Sequence, residues 1–257
     1  MSNLTILRTY AQKAPETLPP SILFKQSAKN ITIFDGYPKS IFHFLILPRI
    51  QEPLTADTLR SLPSLLKGDK EQAKSVIDAI AEDAKAVKKE IQEEMVERYG
   101  FKWDIWTGFH GVPSMEHLHL HVLSADLCSE RMKNKKHYNS FHPKLGFFLH
   151  LNDVLSWFDA ESSYFSNQIK NLKPSNYEPI LKEPLACFHC RSEMKNIPSL
   201  KAHLQEEWDK LERRAKRPAP RKRKAPNAES QADNTEATGS KRAKSEAEEP
   251  ETASGTI

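Results

Sequence analysis

Residues 104–126, DIWTGFHGVPSMEHLHLHVLSAD, hold the stretch whose reading decides the fold. Ile105–Phe109 reads as a strand. Residues 111–114 form a loop punctuated by glycine and proline. Glu116–Ser124 is largely alternating, which predicts a second strand. In such a strand His117, His119 and His121 share one face at roughly 7 Å steps, and Leu118, Leu120 and Val122 share the other.

The apolar face needs a partner, and residues 69–99 supply one. Ile77, Ile80, Ala84, Val87, Ile91 and Met95 step by three and four, the stripe of an amphipathic helix. Asp69 can cap its start and Gly100 its end. Upstream, NITIFDGYPKSIFHFLILP (30–48) reads as two strands around an Asp35-Gly36 turn, the second running apolar from Ile41 to Leu47. Residues 4–13 predict a short helix, and 151–183 a helix and a connector. Antiparallel strands against one long helix make an α+β fold with an antiparallel sheet.

Composition bounds the rest. A chain of 257 residues suits one moderate domain with an accessory module or tail. No stretch approaches the roughly 20 apolar residues of a membrane helix. The first 20 residues lack the basic-then-apolar pattern of a secretory signal. Three cysteines, Cys128, Cys187 and Cys190, argue for a reducing compartment rather than a disulfide framework. The net charge of +4 belongs to the C-terminus, where residues 213–224 hold eight basic side chains and no acidic one. The first 212 residues balance, so any basic surface on the folded body must be local. From 213 onward, Pro, Ala, Ser, Glu and Lys dominate, which predicts disorder. KRPAPRKRK (216–224) and SKRAK (240–244) read as a nuclear localisation signal or a nucleic-acid tail.

Three titratable rings on one strand face are a poor choice for stability, because buried polar groups need partners. Two chemistries compete. Imidazoles at i and i+2 can share a zinc ion, or one imidazole can attack phosphorus while its neighbours fix its tautomer. The preceding GFHGVPSM favours the second. Its small residues and exposed amides could cradle a phosphate, and Ser114 can donate to a phosphoryl oxygen.

The other chemistry-bearing segment is CFHCRSEMKNIPSLKAHLQEEWDKLE, starting at Cys187. Cys187-x2-Cys190, twelve residues, then His203 matches a two-cysteine, two-histidine finger, with Glu207 where the last histidine belongs. His203 and Glu207 stand at i and i+4 and share a helix face. Glu206 is a neighbouring alternative ligand, and His189 lies between the cysteines. Leu200 and Leu204 would form the finger's small core. Residues 131–144, RMKNKKHYNSFHPK, offer Lys133, Lys135, Lys136 and His137 to phosphates, with Tyr138 for stacking.

HLHLHVL fits the signature of the histidine triad superfamily of nucleotide hydrolases and transferases. GFHGVPSMEHLHLHVLS, FDGYPKSIFHFLILP and NKKHYNSF resemble its aprataxin branch, and LKAHLQEEW resembles fungal members. The resemblance covers most of 20–212. It implies a nuclear enzyme that removes AMP from 5′-adenylated DNA at nicks or duplex ends left by abortive ligation. It further implies His119 as the nucleophile, supported by the His117 carbonyl, with His121 and His43 positioning the ring and binding phosphate. His110 would stabilise the leaving 5′-phosphate. Asp35 would take the ribose hydroxyls, and Lys39, Ser114 and Met115 would bind the nucleotide. Cys187, Cys190, His203 and Glu207 would hold one structural zinc per chain, with no catalytic metal.

The organisation expected is an N-terminal segment (1–20) able to wedge against a DNA end, a catalytic domain (21–180), a zinc finger (181–212) and a tail (213–257). DNA is the expected partner and AMP the product, with no membrane association and a monomeric chain. Two other readings compete: a general phosphoramidase for small adenylates, and a nucleic-acid-binding adaptor with a relic triad.

Overall fold

The computed structural model describes residues 4–217. Their strands are β1 (Leu23–Gln26), β2 (Asn30–Phe34), β3 (His43–Pro48), β4 (Ile105–His110), β5 (Leu120–Ser124) and β6 (Phe148–His150). Their helices are α1 (Ile6–Gln12), α2 (Leu62–Leu66), α3 (Lys70–Tyr99), α4 (Lys135–Phe141), α5 (Leu151–Asp159), α6 (Ser162–Asn171), α7 (Pro174–Tyr177) and α8 (Ile197–Ala215). All strand pairs are antiparallel, in the order β1-β2-β3-β5-β4-β6. The α+β class is as expected.

The long helix forms as its stripe predicts. The Asp69 carboxylate accepts from the Gln72 amide at 2.7 Å, and Gly100 closes the helix at φ 77°, where a side chain would be strained. Every stripe residue from Ile77 to Met95 is buried. They pack on Phe44 and Ile46 of β3 and on Leu118, Leu120 and Val122 in one cluster. Each such Ile or Val contributes about 1.5–3 kcal/mol by leaving water.

The opposite face of the sheet is divided. Ile31, Ile33, Leu45 and Leu47 pack with Leu7 of α1 and Leu18. Farther across the sheet, Leu123 and Phe148 pack with Tyr138 and Phe141 of α4 and with Leu185, Cys187, Leu200 and Leu204. The Cys-His segment therefore shares its core with the sheet, and residues 4–217 belong to one compact unit. Leu200 and Leu204 of α8 share this core with Tyr138 and Phe141 of α4.

Other expectations need correcting. The second strand begins at Leu120, not Glu116, so His117 and His119 precede it. β1 and β6 were not anticipated: at 4 and 3 residues they are too short for a period to register. Residues 151–183 hold three helices rather than one. α8 runs through Arg213 and Arg214 to Ala215, so the expected tail boundary at 213 is too early. Arginines in a last helical turn favour continuation, since they complement the helix dipole. The rest of the expected tail, with both basic clusters from 218 onward, lies outside the described residues.

Candidate active site

The chain between β4 and β5 is not the flat strand that alternation suggests. His117 takes φ 91°, a left-handed conformation costly for a residue with a side chain. Its Nε2–H donates to the Pro48 carbonyl at 2.7 Å, and its amide donates to the Arg60 carbonyl at 3.0 Å. The ring is thus spent on the scaffold. Its carbonyl accepts from Nδ1 of His119 at 2.7 Å. That bond fixes the His119 tautomer: Nδ1 carries the proton and Nε2 keeps its lone pair.

A second chain of bonds fixes the next rings. The Lys39 amide donates to Nδ1 of His43 at 3.1 Å, so the proton of neutral His43 sits on Nε2. That proton is directed at Nδ1 of His121, 3.0 Å away. His121 therefore carries its own proton on Nε2. This Nε2 is buried and has no hydrogen-bond partner among the described residues. Register places these rings: Leu45 of β3 stands opposite His121, and His121 opposite Gly108 of β4.

His110 completes the cluster from the end of β4. Its ring lies 4.3 Å from that of His121, and His119 and His121 are 5.0 Å apart between centroids. The buried Nε2 of His110 lacks a partner among the described residues. Burial is the first cause of every titration shift here. It takes His43 down to about 4 and holds His110, His119 and His121 below the ordinary imidazole range. The rings are neutral at physiological pH.

Asp35 and Lys39 stand at the same mouth. An Asp35 carboxylate oxygen lies 3.5 Å from His43 Nε2, and the other accepts from the Tyr37 amide at 2.6 Å. The Lys39 ammonium donates to the Tyr37 carbonyl, and burial, partly offset by Asp35, lowers its pKa. Ser114 is exposed in the loop, and Met115 packs half-buried toward α1. Glu116 then accepts from Arg8 at 3.1 Å and Arg60 at 3.0 Å, tying α1 to this loop.

Within the basic stretch Lys135–Phe141 form α4, and Lys133 precedes its cap, Asn134. Lys133, Lys135 and Lys136 are exposed, although the Lys135 ammonium reaches the Lys182 carbonyl at 2.9 Å. The His137 ring is engaged locally, accepting from the Lys133 amide at 3.3 Å. Tyr138 is fully buried, so it offers no face for base stacking. Two side chains the sequence reading did not assign matter here. Phe141 packs on His43, His110 and His121 with centroids 5.3, 4.6 and 5.0 Å away, and the Tyr177 ring lies where a Cβ on Gly111 would clash. The i, i+3 spacing of Tyr138 and Phe141 on one helix face was the available signal for the first.

The second cluster has metal-ligand chemistry. Ligand atoms of Cys187, Cys190 and His203 lie within 4.8 Å of one another, and Cys190 Sγ is 3.2 Å from His203 Nε2. Tetrahedral zinc with Zn–S near 2.3 Å and Zn–N near 2.0 Å needs ligand atoms about 3.5 Å apart, so these residues fit a structural ion. Glu207 stands 4.0 Å from His203 Nε2 but accepts from the Lys210 ammonium at 2.7 Å and is not in that group, and Glu206 is exposed. His189 stacks on Phe188 instead of joining the group.

The chain is similar to known proteins. Residues 8–137 match the family model described as "Scavenger mRNA decapping enzyme C-term binding", and residues 144–210 match "C2HE / C2H2 / C2HC zinc-binding finger". An aprataxin-like protein of Saccharomyces cerevisiae is 31% identical over 76% of this chain and 92% of its own length. The chain belongs to the aprataxin family. Its residues 8–137 belong to the domain family of that decapping-enzyme model. An aprataxin-like protein of Drosophila melanogaster is 34% identical over 72% of this chain and 24% of its own length. The chain spans between 24% and 52% of three animal aprataxin relatives. The solved structure titled "Crystal structure of aprataxin ortholog Hnt3 in complex with DNA" shares the fold, with TM-score 0.61 and 24% identity over 83% of this chain and 98% of that one. Among the described residues, this aprataxin has no helix long and apolar enough to cross a membrane.

Proposed function

We propose that this chain is a hydrolase that removes AMP from 5′-adenylated DNA ends, with His119 as nucleophile. The observation that carries the reading is the 2.7 Å bond from His119 Nδ1–H to the His117 carbonyl. It leaves Nε2 as the basic atom of a neutral ring. Nε2 attacks the AMP phosphorus, forming a P–N bond as the anhydride P–O bond breaks, and the DNA departs with a 5′-phosphate. The phosphorylated ring keeps its Nδ1 proton and so becomes cationic, a charge the His117 carbonyl stabilises. Water then attacks phosphorus, the P–N bond breaks, and AMP leaves with His119 neutral again.

The partnerless Nε2 of His121, which carries a proton, can donate to a phosphate oxygen, and the buried Nε2 of His110 is also unpaired. A bound phosphoryl group relieves the cost of leaving them unpaired. We assign His110 to the leaving phosphate and His121, backed by His43, to the transferred one. Asp35 takes the ribose hydroxyls, while Lys39, Ser114 and Met115 bind the nucleotide. Lys133, Lys135 and Lys136, with the finger, hold the DNA phosphates, and α1 abuts the end. That a related protein is named in complex with DNA supports this partner.

We assign one zinc per chain, to Cys187, Cys190, His203 and Glu207, where it stabilises the finger. Asp35, His43 and His121 are close enough to suggest a second metal group. The Lys39 amide argues against it, because it holds the His43 proton on the nitrogen that would have to ligate. The protein acts as a nuclear monomer in this reading, addressed by its basic C-terminal clusters.

The test is trapping. Incubation with 5′-adenylated nicked DNA, an acid-free quench and peptide mapping should find AMP on His119. An adduct elsewhere, or adenylated DNA turned over no faster than a small AMP amide, overturns the assignment.

A further inference from the structure

α4 is held at two levels by two different clusters. The Tyr138 hydroxyl donates to the Ala186 carbonyl at 2.9 Å and accepts from the Phe188 amide at 3.1 Å. These residues flank Cys187, itself fully buried. The same turn is closed by Cys187 N–H to the Ser192 carbonyl at 2.9 Å and by Arg191 N–H to the Cys187 carbonyl at 2.8 Å. The Asn139 amide donates to the Glu183 carbonyl at 2.9 Å. One turn onward, Phe141 packs on His43, His110 and His121, with the His110 ring centroid 4.6 Å away.

We infer that Tyr138 is a positioning residue that couples zinc in the finger to the alignment of His110. Zinc fixes the turn that aims the Cys187 thiolate, and that turn presents the two backbone groups that hold the Tyr138 hydroxyl. A helix of seven residues carries the position of Tyr138 rigidly to Phe141. Losing the ion therefore loosens His110, although no ligand touches it. Coupling of this kind is reciprocal: a molecule that orders His110 must tighten the finger's hold on zinc by the same factor. The inference rests on the nucleotide reading of the histidine cluster for its choice of ligand, AMP.

The experiment follows zinc transfer from the full chain to a chromogenic chelator, with and without saturating AMP. AMP should slow release several-fold in the native chain. Tyr138→Phe keeps the buried ring and deletes both hydrogen bonds, so release should quicken about tenfold and no longer respond to AMP. In single-turnover adenylate transfer, Tyr138→Phe should lower the rate about tenfold and be silent in a His110→Gln background. Faster zinc loss with no AMP effect in the native chain makes Tyr138 a finger anchor alone and overturns the coupling. So do unchanged release in Tyr138→Phe and kinetic effects that add with His110→Gln. The native-chain measurement stands even if the variant fails to fold. If calorimetry finds no AMP binding, the nucleotide reading fails instead, and zinc release from Tyr138→Phe still decides whether the hydroxyl supports the finger.

Discussion

The chain holds two clusters of nitrogen and sulfur donors, and they are finished differently. In the histidine cluster the protein assigns protons by its own backbone: Lys39 N–H to His43, the His117 carbonyl to His119, the Pro48 carbonyl to His117. In the finger the donors face one another, as Cys190 Sγ and His203 Nε2 do at 3.2 Å. Donors that converge ask for a cation. Donors whose partners are already fixed present one chosen lone pair, on His119, and one chosen proton, on His121, to a substrate. The same residue types thus serve opposite ends, and hydrogen-bond direction distinguishes them.

The largest expected effect breaks the histidine side of this comparison. His119→Ala should lower adenylate turnover at least about 10³-fold and abolish the trapped adduct, with the melting temperature little changed. Turnover that survives would move the nucleophile to another ring. Next comes the finger. Cys187→Ser with Cys190→Ser should take bound zinc, measured by elemental analysis, from one per chain to none. The ion also supplies folding energy to the core shared with α4, so the melting temperature should fall by many degrees. Two zinc ions per native chain would instead make the histidine cluster a second metal centre.

Acid separates the clusters in a graded way. His43 and His117 are lowered to about 4 by burial, so the unfolded chain binds protons that the folded chain refuses. Stability contributed by their neutral forms is complete above about pH 6.5 and is lost as pH falls toward 4. Between pH 7 and 5 the unfolding free energy should drop by about 2 kcal/mol for each ring. Chemical denaturation at the two pH values measures it. The burial-lowered titration of His119 also keeps the nucleophile neutral somewhat below pH 6.5, so single-turnover rates should hold there before they fall.

How much of this was legible follows from what each feature needs. α3 and its packing face were readable because thirty residues carry the period with both caps in sequence. Spacing named Cys187, Cys190 and His203, which the structure brings together, whereas Glu207 is drawn to Lys210 and stays outside that group. The histidine alternation was readable but misleading in part. His117 leaves the strand through a positive φ and turns its ring to the Pro48 carbonyl, and its own carbonyl accepts from His119 as the family resemblance implied. That turn depends on bonds to Arg60 and Pro48, residues far away in sequence. Tyr138 was misread for a related reason. Its basic neighbours resemble a nucleic-acid loop, and only the fused finger reveals what its hydroxyl holds.

The smallest effect tests whether the basic residues of that helix work outward while its aromatic residues work inward. Lys133, just before its cap, and Lys136, in its first turn, are exposed. If each neutralises one DNA phosphate, the logarithm of affinity should fall with the logarithm of salt less steeply by about 0.9 per lysine removed. Lys133→Ala with Lys136→Ala should therefore flatten the salt slope for duplex DNA by about two units. The adenylate-transfer rate at saturating DNA should stay unchanged, because Tyr138 and Phe141 keep their positions. A lost rate at an unchanged slope would mean that the charged face, too, supports the histidines, and the division of labour along α4 would fail.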